Sequence, residues 1–217
     1  MRTIIQCTGV SRTYGGGRDA VVAVHGVTCT VSEGDQIAVV GSSGSGKTTL
    51  LHLLAGLDEP TAGDIRRRDV PVGIVFQGPS LLAPLDAVEN VALPLLIAGC
   101  DDGTARRRAE RALHQVGLAE LGQRLPEELS GGQAQRVAVA RVLAAAPHLI
   151  IADEPTGQLD SAHADDVISL LLEVADDLGA GLVVATHDPA VATRFADRWE
   201  MRDGALTRDG TPGRRAC

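Results

Sequence analysis

A glycine-rich segment that ends in the only lysine of the chain is the first candidate for phosphate chemistry. Glycines let the backbone curl so that successive N–H groups converge on a phosphate, and a helix that starts there adds the positive end of its dipole. Lys47 would reach the phosphate oxygens, and the Thr48 hydroxyl would bind Mg²⁺. The plainer alternative is a glycine-rich turn with a surface lysine. The segment fits GxxxxGK[ST] and comprises Gly41, Ser42, Ser43, Gly44, Ser45, Gly46, Lys47 and Thr48, with Thr49 opening the helical run.

Lys47 is unusual because it is the only lysine among the 20 lysine and arginine residues of the chain. The richness in Ala, Gly and Arg indicates the codon bias of a GC-rich genome, which would remove lysine elsewhere. Arginine cannot replace lysine where a site needs a compact ammonium group and not a wide planar fork. The survival of this lysine therefore favours a role at the phosphates.

Two carboxylates, Asp153 and Glu154, end an apolar run at 149–152. Ending a buried strand in charges is costly unless something positive lies there. Asp153 would hold the Mg²⁺ shell, and Glu154 would orient and polarise an attacking water as general base. Two solvated acids at a strand end are the alternative.

A third segment precedes a helix-compatible run at 134–146 and comprises Leu129, Ser130, Gly131, Gly132 and Gln133. Alone, Ser130 would be an ordinary N-cap and the glycines a turn. Together and in this order, the three segments resemble the ABC ATPase family, and the resemblance covers nearly the whole chain. It implies an ATPase that uses ATP and Mg²⁺ and pairs head to tail as a homodimer. Ser130 and the following amides would contact the ATP held by the partner chain, as a second anion site at a helix start.

Tyr14 and Gln77 also match the pattern of the family. Tyr14 resembles the aromatic residue that stacks on adenine, and a partly buried aromatic is the alternative. Gln77, which follows the apolar run at 72–76, matches the glutamine that senses Mg²⁺ and the attacking water. Its alternative is a polar strand end. The resemblance thus adds Gln77 to Thr48 and Asp153 as residues of the metal site.

His187 and Asp160 complete the positions that the resemblance implies. His187 matches the histidine that contacts the γ-phosphate, although Asp188 and the proline after it already explain the local sequence as a helix N-cap and first turn. Asp160 matches the loop that crosses the dimer interface. In that loop Gln158 replaces the smaller residue often found in relatives.

These side chains need a scaffold of strands and helices. Apolar residues recur at helical spacing over 167–178, and 106–116 is also a plausible helix. Alternating strands and helices predict an α/β fold, a P-loop NTPase with a mainly parallel core sheet. Continuous apolar runs, typical of strands that are covered on both faces, occur at 36–40, 72–76, 149–152 and 182–185.

The whole chain, 1–217, is predicted to form one domain that contains smaller subdomains. The first thirty or so residues are rich in Val and Thr, which favours an antiparallel β subdomain. A helical subdomain that carries the signature is expected over about 84–146, and a frayed tail over 204–217. The segment 63–72 is shorter than in most relatives, so the β subdomain is expected to be abridged.

Composition restricts the class of protein. The chain has 217 residues, 44% of them hydrophobic and 22% charged, which is typical of a globular protein. Its net charge of -8 argues against a protein that grips nucleic acid, because neutralising phosphates demands a basic surface. No nucleic-acid partner is therefore expected.

The cysteines and the apolar segments indicate the compartment. Cys7, Cys29, Cys100 and Cys217 show no CxxC spacing, which argues against a zinc site and fits free thiols in a reducing compartment. No apolar run approaches the length of a membrane span. We therefore expect a cytoplasmic chain that is peripheral to the inner face of the membrane.

The apolar segment 79–99 is where members of the family face the coupling helix of a membrane permease, although a core helix would explain much of it. The amino-acid sequences of this segment and of 57–63 resemble those of the branch that contains macrolide exporters, lipoprotein-release ATPases and the cell-division ATPase. The hypothesis is a cytoplasmic ATPase that energises a separately encoded permease. Mechanical transmission without cargo, a soluble ABC ATPase acting on DNA or ribosomes, and a P-loop kinase are the alternatives.

Overall fold

The computed structural model describes residues 2–157 and 159–209. Gln158 and the part of the expected tail beyond residue 209 lie outside the described residues. The described strands are β1 (Thr3–Tyr14), β2 (Val21–Ser32), β3 (Gln36–Val40), β4 (Ala62–Arg67), β5 (Val72–Val75), β6 (Leu149–Asp153), β7 (Gly181–Thr186), β8 (Asp197–Arg202) and β9 (Ala205–Asp209). The α-helices are α1 (Lys47–Ala55), α2 (Ala87–Ile97), α3 (Asp102–Gln115), α4 (Gly131–Ala145), α5 (Ser161–Leu178) and α6 (Pro189–Ala192).

A six-stranded sheet in the order β5-β6-β7-β3-β8-β9 forms the centre of the fold. The contacts from β5 through β8 are parallel, and β8 pairs with β9 antiparallel. On β6, Leu149 and Ile151 face a core shared with α1, whereas Ile150 and Ala152 face a core shared with α5. Both faces of the strand are thus covered, which explains why successive residues of β6 are apolar. The buried parallel strands confirm the predicted α/β class.

A three-stranded antiparallel sheet in the order β2-β1-β4 covers α1 and one face of the central sheet. Its presence confirms the predicted antiparallel β subdomain. The short segment 63–72 contributes most of β4, which pairs with β1 along its length. The short segment therefore still supplies a third strand.

Helices α2, α3 and α4 share a core of their own, built mostly from alanine, valine and leucine. They occupy the segment for which we expected a helical subdomain. Each begins at a polar N-cap, namely Asp86, Asp101 and Ser130. None of the described helices combines the length and the apolar composition needed to cross a bilayer.

The prediction of a frayed tail over 204–217 is wrong for its first residues, because Ala205–Asp209 forms β9 on the edge of the central sheet. Asp203 and Gly204 both have positive φ, at 48° and 77°, and form the tight connection from β8. An Asp-Gly pair between strands is a strong hairpin signal because both positions favour the left-handed region. That signal is present in the sequence and was overlooked.

Candidate nucleotide-binding and hydrolysis site

The loop from β3 to α1 forms a tight curl in which two glycines are sterically required. Gly46 is the N-cap of α1 with φ 100°, and a Cβ on it would lie 2.1 Å from the carbonyl oxygen of Ala23 on β2. A Cβ on Gly41 would lie 2.4 Å from the carbonyl oxygen of Met201 on β8. Backbone atoms of both sheets therefore pack directly against the loop and leave no room for a side chain. Only glycine fits at these two positions.

The lysine of the loop is buried and points into the curl. Lys47 is only 5% exposed, and its Nζ donates to the carbonyl oxygens of Gly41 at 2.8 Å and Ser42 at 3.1 Å. The same Nζ lies 3.6 Å from Oε1 of Glu154. A surface lysine on a glycine-rich turn would not be buried in this way. The ammonium group is instead held by carbonyl oxygens of the loop itself.

Glu154 lies at the carboxyl end of β6, between two other predicted site residues. Its Oε2 is 3.1 Å from Nδ1 of His187, and its Oε1 faces Lys47. The backbone of Glu154 has a φ of 45°, and its N–H donates to the carbonyl oxygen of Ala185 on β7. A left-handed conformation is unfavourable for a residue with a side chain and is often found at functional sites.

Gln77 is brought to the same place from the end of β5. A Cβ on Gly157 would lie 3.2 Å from Nε2 of Gln77 and 3.6 Å from Oε2 of Glu154, so the two side chains flank that glycine. Adjacent parallel strands end at the same edge of a sheet, which is why β5, β6 and β7 deliver these groups together. The structure thus brings together Lys47, Gln77, Glu154 and His187.

The signature segment forms the start of α4. Ser130 accepts a hydrogen bond from the N–H of Gln133, and the Gln133 side chain accepts one from the N–H of Ser130, which makes a capping box. Ser130 and Gly131 are exposed, and Leu129 packs on the core of the helical layer. No hydrogen bond or ion pair joins residues 129–133 to residues 41–49, all of which are described. The two glycine-containing turns at the starts of α1 and α4 are therefore separate within one chain.

Tyr14 and Asp160 lie outside the cluster around Glu154. The Tyr14 ring is exposed at the end of β1, with the Arg12 guanidinium 4.7 Å from its centroid. Its hydroxyl donates to Asp58 at 2.8 Å, and this bond is the largest cause that lowers the pKa of the Asp58 carboxyl. Asp160 is the N-cap of α5 and accepts from the N–H of His163. Both residues are exposed at the surface.

The sequence model of the family described as "ABC transporter" matches residues 24–157. That range contains the phosphate loop, the signature and both strand-end carboxylates. The chain belongs to the ABC transporter family. This ABC cassette is accordingly an ATPase, with an ATP-binding phosphate loop of the P-loop type.

Solved structures of other cassettes agree with the assignment. The cassette is 33% identical to MJ0796 in a dimeric post-hydrolysis state bound to ADP and Pi, with a TM-score of 0.86 over 97% of this chain and 100% of that chain. A second dimeric structure of MJ0796, described as a bacterial ABC transporter cassette, is 34% identical over the same shares, with a TM-score of 0.86. The cbiO1 protein from Clostridium perfringens, part of a cbiONQ transporter complex, is 27% identical over 95% of this chain and 88% of that chain, with a TM-score of 0.84.

The ABC cassette offers oxygen ligands that fit Mg²⁺. Asp153 ends β6 with a buried Oδ1 for which the described residues provide no hydrogen-bond partner. A buried carboxylate oxygen without a partner is costly unless a cation balances it. Thr48 is exposed in the first turn of α1, and hydroxyl and carboxylate oxygens suit this hard cation. Bound there, the ion would neutralise charge on the phosphates, and Gln77 would be the third residue near it.

Polar residues that hold the segment after Gln77 were missed by sequence reasoning. On α4 of the cassette, the buried Gln135 donates to the carbonyl oxygen of Phe76, and Arg141 donates to those of Pro79 and Ser80. Burial lowers the pKa of the Arg141 guanidinium. The buried Asn90 of α2 bonds the backbone of Leu82 in both directions. Their only signal in the sequence is a polar residue on an otherwise apolar helix face.

Proposed function

We propose that this cassette is the ATP-hydrolysing subunit of an ABC transporter, works as a head-to-tail homodimer, and energises a separately encoded permease from the cytoplasmic face of the membrane. The observation that carries the proposal is the separation of the two anion-binding turns within one chain. The phosphate loop has Glu154 beside it, whereas the exposed start of α4 makes no hydrogen bond or ion pair to that loop among the described residues.

A second copy of the chain resolves this separation. One ATP would lie between the loop at 41–48 of one protomer and Ser130 to Gly132 of its partner, with a helix N-terminus on each side of the phosphates. ATP would then bind the closed dimer more strongly than the open monomers, so nucleotide binding drives closure. The MJ0796 structures are dimeric, which supports the pairing of two copies of the chain.

Hydrolysis would follow from the groups around Glu154. In the proposed reaction its carboxylate accepts a proton from the attacking water, while Gln77 orients that water and His187 holds the carboxylate at Oε2. Lys47 and the loop amides balance the charge that develops on the phosphate oxygens. Asp153, Thr48 and Gln77 would hold Mg²⁺. Loss of the γ-phosphate would remove the bridge between the protomers and release the dimer.

We expect Glu154→Gln to trap an ATP-bound dimer. The amide keeps the shape of the side chain but cannot accept the proton, so hydrolysis should fall by about 10²–10⁴-fold. Analytical ultracentrifugation with Mg-ATP should show a dimer for the variant and mainly monomer for the unmodified chain. Normal turnover by the variant would eliminate Glu154 as the base.

A variant of Ser130 tests the head-to-tail geometry. In the Glu154→Gln background, Ser130→Arg would place a bulky side chain in the second anion site and should prevent the ATP-dependent dimer while leaving ATP binding by the monomer in place. Arg198→Ala, on the exposed side of β8, is the matched control and should dimerise normally. Unchanged dimerisation of the Ser130 variant would contradict the sandwich.

The permease is proposed to dock beside α2. A cavity of about 180 Å³ opens between α2 and α3, with an apolar floor and charged residues at its rim. Ile97 is 78% exposed at the end of α2, and Leu96 and Leu82 are also exposed apolar residues. Exposed apolar surface next to a partly apolar groove is typical of a protein interface. The groove is lined by Leu85, Glu89, Ala92, Leu93, Leu96, Asp102 and Arg106.

We expect Ile97→Asp to weaken permease binding by at least about tenfold, since it buries a charge in the proposed interface. The measurement is co-purification from detergent-solubilised membranes after co-expression with the permease gene that neighbours the cassette gene. Leu57→Asp is the matched control, because Leu57 is also exposed and apolar but follows α1. Equal co-purification of both variants would place the permease elsewhere.

The sequence resemblance to the exporter, lipoprotein-release and cell-division branch supports a partner that performs envelope work, either by moving cargo or by mechanical transmission alone. A soluble ATPase acting on nucleic acid is disfavoured by the net charge of -8. A small-molecule kinase would need no exposed second anion site. Dimerisation that depends on ATP and on Ser130 separates the proposed function from both.

A further inference from the structure

Two buried thiols face each other in the antiparallel sheet. Cys7 on β1 and Cys29 on β2 are direct cross-strand partners. They are 1% and 2% exposed, and both belong to the apolar core beneath that sheet. Neither forms a disulfide in the structure. Neither has a role in the proposed hydrolysis.

The position of the pair suits a disulfide. Directly opposed residues of an antiparallel pair have Cα atoms about 4.5 or 5.5 Å apart, and disulfides span Cα distances of about 4.4–6.8 Å. The preceding partners, Gln6 with Thr30 and Ile5 with Val31, stay in the same register as Cys7 with Cys29. Closing a bond between the sulfur atoms therefore requires no slip of either strand.

The surroundings also favour the thiolate at one member of the pair. The pKa of the Cys7 thiol lies below its usual value, chiefly because the Cys29 thiol donates a hydrogen bond to it, while burial acts in the opposite direction and the charge of Arg67 adds a smaller attraction. Arg67 on β4 is itself held, because its guanidinium donates to the carbonyl oxygen of Leu53. A thiolate is the form that attacks a disulfide.

We propose that Cys7 and Cys29 form a reversible redox site that small-molecule disulfides oxidise to an intrachain disulfide. The Cys7 thiolate attacks one sulfur of the oxidant RSSR, which releases one RS⁻ and leaves a mixed disulfide on Cys7. Cys29, after losing its proton, attacks the Cys7 sulfur and releases the second RS⁻. The protein loses two electrons and two protons, and the oxidant becomes two molecules of thiol.

Access to the buried pair comes from the edge of the sheet. β2 is the outer strand in the order β2-β1-β4, and its residues Val21 and Val22 are exposed. Edge strands open at a lower free energy than central ones. The oxidant therefore meets Cys7 when β2 opens, and the closing strand then delivers Cys29 to the mixed disulfide.

The test uses the full chain carrying Cys100→Ser and Cys217→Ser, so that only the pair remains. The folded, reduced protein is incubated with oxidised glutathione, quenched with N-ethylmaleimide under denaturing conditions, and weighed by mass spectrometry. We expect a loss of two hydrogen masses with no glutathione or maleimide added, and a peptide that joins Cys7 to Cys29. The thermal midpoint should rise by about 5–10 °C and fall back with dithiothreitol.

The matched control adds Cys29→Ala to the same background, which should stop at a glutathione adduct on Cys7 without the rise in thermal midpoint. If the background variant does not fold, peptide mapping of the unmodified chain gives the same readout. Two maleimide groups per chain after prolonged incubation, or a stable glutathione adduct when both cysteines are present, would overturn the proposal.

Discussion

Lys47 and Glu154 lie 3.6 Å apart between Nζ and Oε1, at the place where we propose that the phosphates of ATP bind. The ammonium group of Lys47 donates hydrogen bonds to the carbonyl oxygens of Gly41 and Ser42. Phosphate oxygens carry more charge than carbonyl oxygens and would compete for the same donors. In the proposed complex, phosphate oxygens would take the place of these two carbonyl oxygens as acceptors for Lys47.

We expect Lys47→Ala to reduce ATP affinity by about 100-fold or more, because two hydrogen bonds from a charged donor are lost. Lys47→Arg should also bind poorly, since the wide guanidinium does not fit the curl that encloses this buried ammonium. Isothermal titration calorimetry with ATP gives the affinities, and Arg198→Ala is the control with native affinity. ATP binding retained by both Lys47 variants would show that this lysine does not hold the phosphates.

Helix α4 links two parts of the site that are distant in the sequence. Its first residues form the exposed signature turn, and one and three turns later Gln135 and Arg141 hold the backbone that follows β5. A movement of the helix start on dimer closure would therefore be transmitted to the segment that carries Gln77. Packed helices transmit such shifts because protein interiors are close to incompressible.

At this scale we expect Arg141→Ala to lower the ATPase kcat by about tenfold with little change in ATP affinity, because Gln77 loses a fixed attachment while the phosphate loop stays intact. Steady-state ATPase kinetics and ATP titration measure the two quantities separately. Arg136→Ala is the control on the same helix, since Arg136 pairs with Asp166 of α5 and does not touch the Gln77 segment. Equal kcat for the two variants would contradict the link.

The two sheets of the molecule are joined at the edge opposite to the site by a three-residue cluster. Glu33, just after β2, pairs with Arg68, just after β4, and with His148, just before β6, at 3.1 Å. Hydrogen bonds from Arg68, with a smaller one from His148, hold the pKa of Glu33 below its usual value, against the effect of burial. The cluster and the shared apolar core keep the antiparallel sheet in place over the phosphate loop.

The lowered pKa of Glu33 sets the direction of a pH effect on stability. A depressed carboxyl pKa in the folded state stabilises the fold at neutral pH, and this contribution is lost as the pH falls through the folded pKa, below the unfolded value of about 4.3. Urea denaturation should therefore give a lower midpoint for Glu33→Gln than for the unmodified chain at pH 7, and the gap should narrow below about pH 4. Glu59→Gln, at an exposed glutamate, should show no such gap. A gap that widens in acid would contradict the assigned direction.

The sequence alone predicted the α/β class and, through the resemblance of its three ordered segments, the family, because these features are readable locally; the residues assigned to the phosphates stay a prediction. A glycine-rich loop after an apolar strand, two carboxylates at a strand end and a capped helix with paired glycines are each readable within a few residues. The same local rules placed β3, β6 and β7, and they predicted α5 in part, because the predicted span was 167–178 and the helix is Ser161–Leu178. An Asp-Gly hairpin before β9 was equally local and was missed.

Only the tertiary structure decided which groups meet. The strand order brings Gln77, Glu154 and His187 to one edge although they are far apart along the chain, and no local pattern encodes that order. The required glycines at 41 and 46 depend on carbonyl oxygens from β8 and β2, which press on the loop from both sides. The pairing of Cys7 with Cys29 likewise depends on strand register, which is set by packing across the whole sheet.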